Sequence, residues 1–116
     1  MARRSEKDIQ SETMIRLQEE YPTALILRQN TGAAKNHAGH FVRFGVPGQA
    51  DLKTIIHGLA VEIEVKSETG RQRKDQKNYQ QAVESAGGIY VLGSSPTKIL
   101  EEIKCKITER LSGQPL

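Results

Sequence analysis

A single cysteine, Cys105, and no tryptophan stand among 116 residues. One thiol closes no intramolecular disulfide and supplies no cysteine-rich zinc module. Aromatic residues make up only 4% of the chain, so a core has to be assembled from Ile, Leu, Val and Ala. No apolar run approaches the roughly 20 residues of a membrane span. The start of the chain, Met1-Ala2-Arg3-Arg4-Ser5-Glu6-Lys7-Asp8, lacks the apolar stretch of a secretory signal. A soluble, cytoplasmic protein is expected. No GxxxxGK loop is present, which leaves chemistry driven by a nucleotide cofactor without support. What is present is a mixed alphabet with 27% charged residues, which excludes disordered and collagenous chains. The length allows one domain over 1–116, burying roughly two-thirds of its unfolded surface.

The net charge is only +3, so its distribution matters more than its size. Residues 1–27 sum to −1, 28–53 to +3, 54–66 to −1 and 67–77 to +2, and the remainder is neutral. Positive charge thus brackets a short acidic island, a pattern that suits a polyanion. An ordinary solvated surface would also produce so weak an asymmetry.

Ile9, Thr13, Leu17 and Tyr21 recur every fourth residue behind Ser5, which predicts a first helix ended by Pro22. Ala24-Leu25-Ile26-Leu27 reads as a buried strand. Five glycines and Pro47 punctuate 32–58, so 31–48 is expected to be a long, mobile, basic loop. Two β-rich runs, Ala50-Asp51-Leu52-Lys53-Thr54-Ile55-Ile56 and Leu59-Ala60-Val61-Glu62-Ile63-Glu64-Val65-Lys66, flank His57-Gly58 and predict a tight hairpin. A helix over about 71–85 follows, with Tyr79, Ala82, Val83 and Ala86 at core spacing. Gly87-Gly88 breaks it, Ile89-Tyr90-Val91-Leu92 is a fourth strand, and Ser95-Pro96 starts a last helix reaching about Leu111. The plan is a mixed α/β sheet flanked by helices.

With His57-Gly58 as the turn, paired residue numbers sum to 115. Leu52 then faces Ile63 and Thr54 faces Val61 on an apolar side. The other side pairs Asp51 with Glu64, Lys53 with Glu62 and Gln49 with Lys66. An amphipathic hairpin with a solvated face explains the Lys53–Glu62 pair. It does not explain Asp51 opposite Glu64, where two carboxylates ~5 Å apart repel by roughly 3 kcal/mol at an effective dielectric of 20. A divalent cation reverses that sign, and Mg²⁺ takes one or two carboxylates plus water. Lys66, on the same side, completes the parts for directing water at a phosphodiester.

Asp51 followed by Glu64-Val65-Lys66 on the next strand of an αβββαβ core resembles the PD-(D/E)xK nuclease superfamily, with its restriction-endonuclease-like fold. Within it the chain is similar to the VRR-NUC group, the virus-type replication-repair nuclease domain, of which it looks like a stand-alone, phage-like member. The approach Gly45-Val46-Pro47-Gly48-Gln49-Ala50-Asp51 and Gln76 in the following helix carry the resemblance, which spans about 11–92. Asp75-Gln76-Lys77 and Glu102-Ile103-Lys104 also fit (D/E)xK, but both fall in predicted helices with no facing Asp.

The resemblance implies a DNA endonuclease dependent on Mg²⁺ or Mn²⁺. Asp51, Glu64 and the Val65 carbonyl would bind the metal, with Glu12 as a further acidic residue from the first helix. Lys66 would position or deprotonate the water, the latter only if its pKa fell well below 10.4. Gln76 would support water or phosphate. The superfamily's Pro-Asp is Ala50-Asp51 here. Branched DNA, four-way (Holliday) junctions first, would be the substrate, cut by a homodimer in DNA repair. Arg28, Lys35, Arg43, Arg71, Arg73, Lys74 and Lys77 are candidate phosphate contacts. His37 and His40 have ligand spacing, but their glycine-rich loop offers no further ligands, which favours nucleic-acid contact over zinc. Two rival readings are a non-catalytic nucleic-acid-binding module on the same fold and an RNA-directed nuclease.

Overall fold

Ser5 starts the first helix as its N-cap, its hydroxyl accepting from the Asp8 N–H at 3.1 Å. In the computed structural model, which describes residues 4–29, 32–44 and 46–113 (backbone alone for 32–35 and 41–44), this helix is α1, Glu6–Glu20. Its buried side chains are Ile9, Thr13 and Leu17, as the fourfold spacing predicts. Thr13 satisfies its buried hydroxyl by donating to the Ile9 carbonyl at 2.7 Å.

β1 (Leu25–Arg28) is an edge strand, and the expected burial is only partial: Ala24 is buried and Ile26 packs against the core, while Leu25 and Leu27 are 52% and 49% exposed. By alternation their side chains turn away from the core against which Ile26 packs. The expected 31–48 loop also needs correction. It carries a separate antiparallel hairpin, β2 (Gly32–Lys35) with β3 (Phe41–Phe44). Asn36 organises its turn, its side-chain oxygen accepting the N–H groups of Ala38 and His40 at 3.0 Å each.

β4 (Leu52–Ile56) and β5 (Leu59–Val65) pair in the predicted register, Leu52 with Ile63 through Ile56 with Leu59. His57 and Gly58 both have positive φ, 50° and 80°, as a two-residue turn between twisted strands requires. After α2 (Lys74–Ser85) the chain returns as β6 (Ile89–Gly93), parallel to β5. α3 (Pro96–Ser112) closes the fold, capped by the Ser95 hydroxyl. The sheet order is β1-β4-β5-β6, mixed in direction, so an αβββαβ core is present with the extra hairpin inserted after β1.

The two faces of this sheet differ chemically. Leu52, Ile56, Val61, Ile63 and Val65 turn to one side, where Leu17, Ile99 and Ile103 of α1 and α3 complete a fully buried aliphatic core. By alternation Glu62 and Glu64 turn to the other side, under α2. The expected apolar stripe of α2 is not observed. Ala82 and Ala86 are exposed, Tyr79 and Val83 half-buried, and Gln76 is its one buried residue. A helix laid over carboxylates has to offer donors rather than methyl groups.

Candidate active site

The β4–β5 ladder ends at Leu52–Ile63, and Asp51 stands one residue beyond it. There its side chain does what a backbone carbonyl would otherwise do: Oδ2 accepts the Val65 N–H at 2.7 Å. The Asp51 carbonyl accepts the Gln29 N–H at 2.8 Å, so the residue is held from both neighbouring strands. Gly48 positions the approach. Its φ is +78°, and a Cβ there would sit 2.2 Å from the Asp75 carbonyl oxygen, so only glycine lets the loop touch the first turn of α2.

Glu64, one residue on from Ile63, projects from β5 into the same space and is 2% exposed. Its Oε2 accepts from Gln76 Nε2 at 2.9 Å and lies 3.4 Å from Lys66 Nζ. Gln76 is free to aim its amide because its Oε1 accepts the Arg73 N–H at 2.9 Å, one half of a capping box. Glu64 Oε1 is buried, and no group among the described residues hydrogen-bonds to it. Lys66 is largely covered, its side chain 11% exposed. The turn from Ser67 to Gly70 folds over its stem, where a Cβ at Gly70 would lie 3.4 Å from Lys66 Cδ.

The two carboxyl groups feel each other. Burial, then the Asp51 charge, pushes Glu64 up to about 7, against the pull of Lys66. Asp51 is also raised by burial, although the Val65 hydrogen bond works the other way. A third carboxylate adds to the field at Asp51: Glu6, in the first turn of α1. Its Oε2 accepts the Ser67 N–H at 3.0 Å, which brings it beside the Lys66 segment. Among the described residues no three His, Cys, Asp or Glu side chains close around one point; the carboxylates form a pair with Glu6 nearby.

The structure therefore brings Asp51, Glu64, Lys66, Val65 and Gln76 together and leaves Glu12 out. Glu12 is turned to Arg4 at 2.7 Å and Arg16 at 3.3 Å. Glu6 is the acidic residue that sequence reasoning missed, although the helical wheel carried the signal. At 100° per residue the stripe from Ile9 to Tyr21 sweeps from 0° to 120°. Glu6 falls at 60°, inside it, and Glu12 at −60°, outside.

Two hairpin expectations also change. Gln49 does not turn to Lys66 but donates its amide to Gln29. Glu62 is buried, not solvated, with the Tyr79 hydroxyl at 2.6 Å and Lys53 at 3.8 Å. Tyr79 is a donor to this carboxylate rather than a core residue, and burial together with Glu62 pushes its hydroxyl up to about 12.

Of the candidate phosphate contacts, Arg28 ends β1 across from Leu52 and is hydrogen-bonded to Ser11. Arg71, Arg73, Lys74 and Lys77 are exposed along the segment that leads from Lys66 into α2, with Arg73 paired to Asp75. The side chains of Lys35 and Arg43 lie outside the described residues. His37 and His40 are exposed in the β2–β3 turn.

No protein-family model and no curated protein matches the chain. Among solved structures it is similar to one described as a VRR_NUC domain, with a TM-score of 0.61 and 19% identity. The match covers 85% of this chain and 94% of the other.

Proposed function

We propose that this chain, which has the fold of a VRR-NUC domain, is a metal-dependent DNA endonuclease. The observation that carries the reading is the Asp51–Glu64 pair, Glu64 buried and its Oε1 left without a donor among the described residues. An oxygen so placed needs either a proton or a cation, and all-oxygen donors suit Mg²⁺ or Mn²⁺. Asp51, Glu64 and the Val65 carbonyl would hold the ion, and Glu6 would add negative charge beside Asp51. When bound it would polarise the phosphate and lower the pKa of a water.

The remaining work falls to the chain itself. Gln76 orients Glu64 through the 2.9 Å hydrogen bond. Lys66, held 3.4 Å from Glu64, stands where a cation would offset charge developing on a phosphoryl oxygen or orient the attacking water. The basic segment 71–77 and Arg28 would lay the phosphate backbone across this end of the sheet. Branched DNA such as a four-way junction, a role in DNA repair and a homodimeric, cytoplasmic form complete the reading. No helix among the described residues is long and apolar enough to cross a membrane, which is compatible with that location.

The test is incubation of junction, flap, linear duplex and RNA substrates with Mg²⁺ or EDTA. Wild type should cut DNA only with metal, and Asp51→Ala and Lys66→Ala should each lose at least about a hundredfold in rate. Cleavage indifferent to both substitutions removes the site. Salt-sensitive binding with no cutting by wild type would favour a binding module, and preferential RNA cleavage would move the substrate class.

A further inference from the structure

Glu62 is a second buried carboxylate under α2, and the chemistry above does not use it. Its Oε1 accepts from two elements at once, the Tyr79 hydroxyl of α2 at 2.6 Å and Gln29 Nε2 at 2.9 Å. Gln29 Oε1 accepts in turn from Gln49 Nε2, and Gln49 Oε1 accepts the Val46 N–H at 3.2 Å. Gln29 also donates its own N–H to the Asp51 carbonyl. Glu62 therefore fastens a glutamine that is itself fastened to Asp51 and to the residue two before it.

The need for such a device follows from the register. Asp51 lies beyond the last β4–β5 ladder pair, so its backbone is held from the Gln29 side alone and only its carboxylate reaches β5. Glu62 and Glu64 share a strand and a face, which makes Glu62 a fixed point on the element that carries the partner carboxylate. Burying a carboxylate is costly, and a small apolar side chain would fill this position without that cost if packing were its sole task.

We propose that Glu62 is a positioning residue that sets where Asp51 stands relative to Glu64, acting through Gln29 and Gln49. This rests on the reading of Asp51 and Glu64 as a metal-holding pair, and its test separates the two ideas. Backbone amide exchange in the metal-free protein reports Asp51 directly, because the Val65 N–H is bonded to Asp51 Oδ2. Mn²⁺ titration calorimetry reports the pair. In Glu62→Ala and Gln29→Ala, Val65 should exchange about tenfold faster while the Ile103 amide in α3 is unmoved. Mn²⁺ affinity should fall about 10–100-fold, as loss of an outer support does at metal sites. Glu62→Gln keeps an oxygen facing Tyr79 and Gln29 and should restore most of both.

Exchange that rises equally at Val65 and Ile103 would mean a general loss of stability and would overturn the proposal, as would unchanged exchange and affinity in folded Gln29→Ala. Should Glu62→Ala fail to fold, Gln29→Ala, altered at a half-buried side chain, decides alone. Wild type that takes up no Mn²⁺ would sink the metal-pair reading, and the Val65 exchange would still decide whether Glu62 positions Asp51.

Discussion

Glu64 joins two facts that are rarely compatible: it is an acid, and it is buried beside another acid. With its pKa raised to about 7, the metal-free folded protein holds a proton that the unfolded chain releases near the ordinary value of 4.5. The stability this contributes is full below about pH 4.5 and is lost as pH rises through 7. The melting temperature of the metal-free protein should therefore fall between pH 5 and 7, and Glu64→Gln should flatten that slope. A profile that rises over this window would show that Glu64 is ionised when no ion is bound. Metal requires the carboxylate form, so Mn²⁺ affinity below pH 7 should drop by about tenfold per pH unit for each proton displaced. Calorimetry in buffers of different ionisation enthalpy counts those protons. The Asp51–Glu64–Lys66 set was legible because a two-residue turn and the period of a strand determine which side chains share a face. Glu6 and Glu12 test the limit of that legibility. Glu6→Gln should weaken Mn²⁺ binding severalfold, whereas Glu12→Gln, which breaks only exposed ion pairs with Arg4 and Arg16, should leave it unchanged. Equal effects would return Glu12 to the site.

The elements around this pair differ in how much of their packing shows in the sequence, and the reasons are physical. α1, the β4–β5 hairpin and α3 each bury an aliphatic stripe against the same core, and a stripe is what periodicity detects. β1 is an edge strand with one covered face, so its apolar run does not imply burial on both sides. β2 is Gly-Ala-Ala-Lys, with little β propensity, and glycine concealed it inside an apparent loop. α2 misled differently: its partner surface is polar, so Gln76 and Tyr79 make the contacts that Ala82 and Ala86 were expected to make. The loop joining this hairpin region to Asp51 depends on Gly48. Gly48→Ala meets both a positive φ and a backbone oxygen 2.2 Å away, and should cost well over about 1 kcal/mol while also displacing Asp51 and reducing cleavage. Gly58→Ala is the control, with φ +80° but open space around its Cβ. It should lower stability by about 1 kcal/mol and leave the specific activity of the folded protein intact. Matching losses of activity in the two variants would show that Gly48 has no particular bearing on the site.

Across the whole molecule the sheet divides labour, one face holding an aliphatic core and the other a polar layer with the carboxylates at the end of β5. Among the described residues this gives one candidate site per chain, whereas resolving a four-way junction, the substrate proposed above, takes cuts in two strands. A single site can make paired cuts by rebinding or by acting beside a second copy, and the two routes leave different products. In a homodimer related by a twofold axis, both cuts fall within one binding event, so a supercoiled plasmid with an extruded cruciform should pass directly to the linear form. Independent monomers should accumulate nicked circles first, because the first nick relaxes the supercoil and reabsorbs the cruciform. Sedimentation of the free protein should show a species of twice the chain mass. Mixing wild type with excess Lys66→Ala should then convert the linear product to nicked circles, since most active sites would be paired with an inactive one. If linear product merely declines in proportion to the wild-type fraction, with no gain in nicked circles, the two cuts do not come from paired chains.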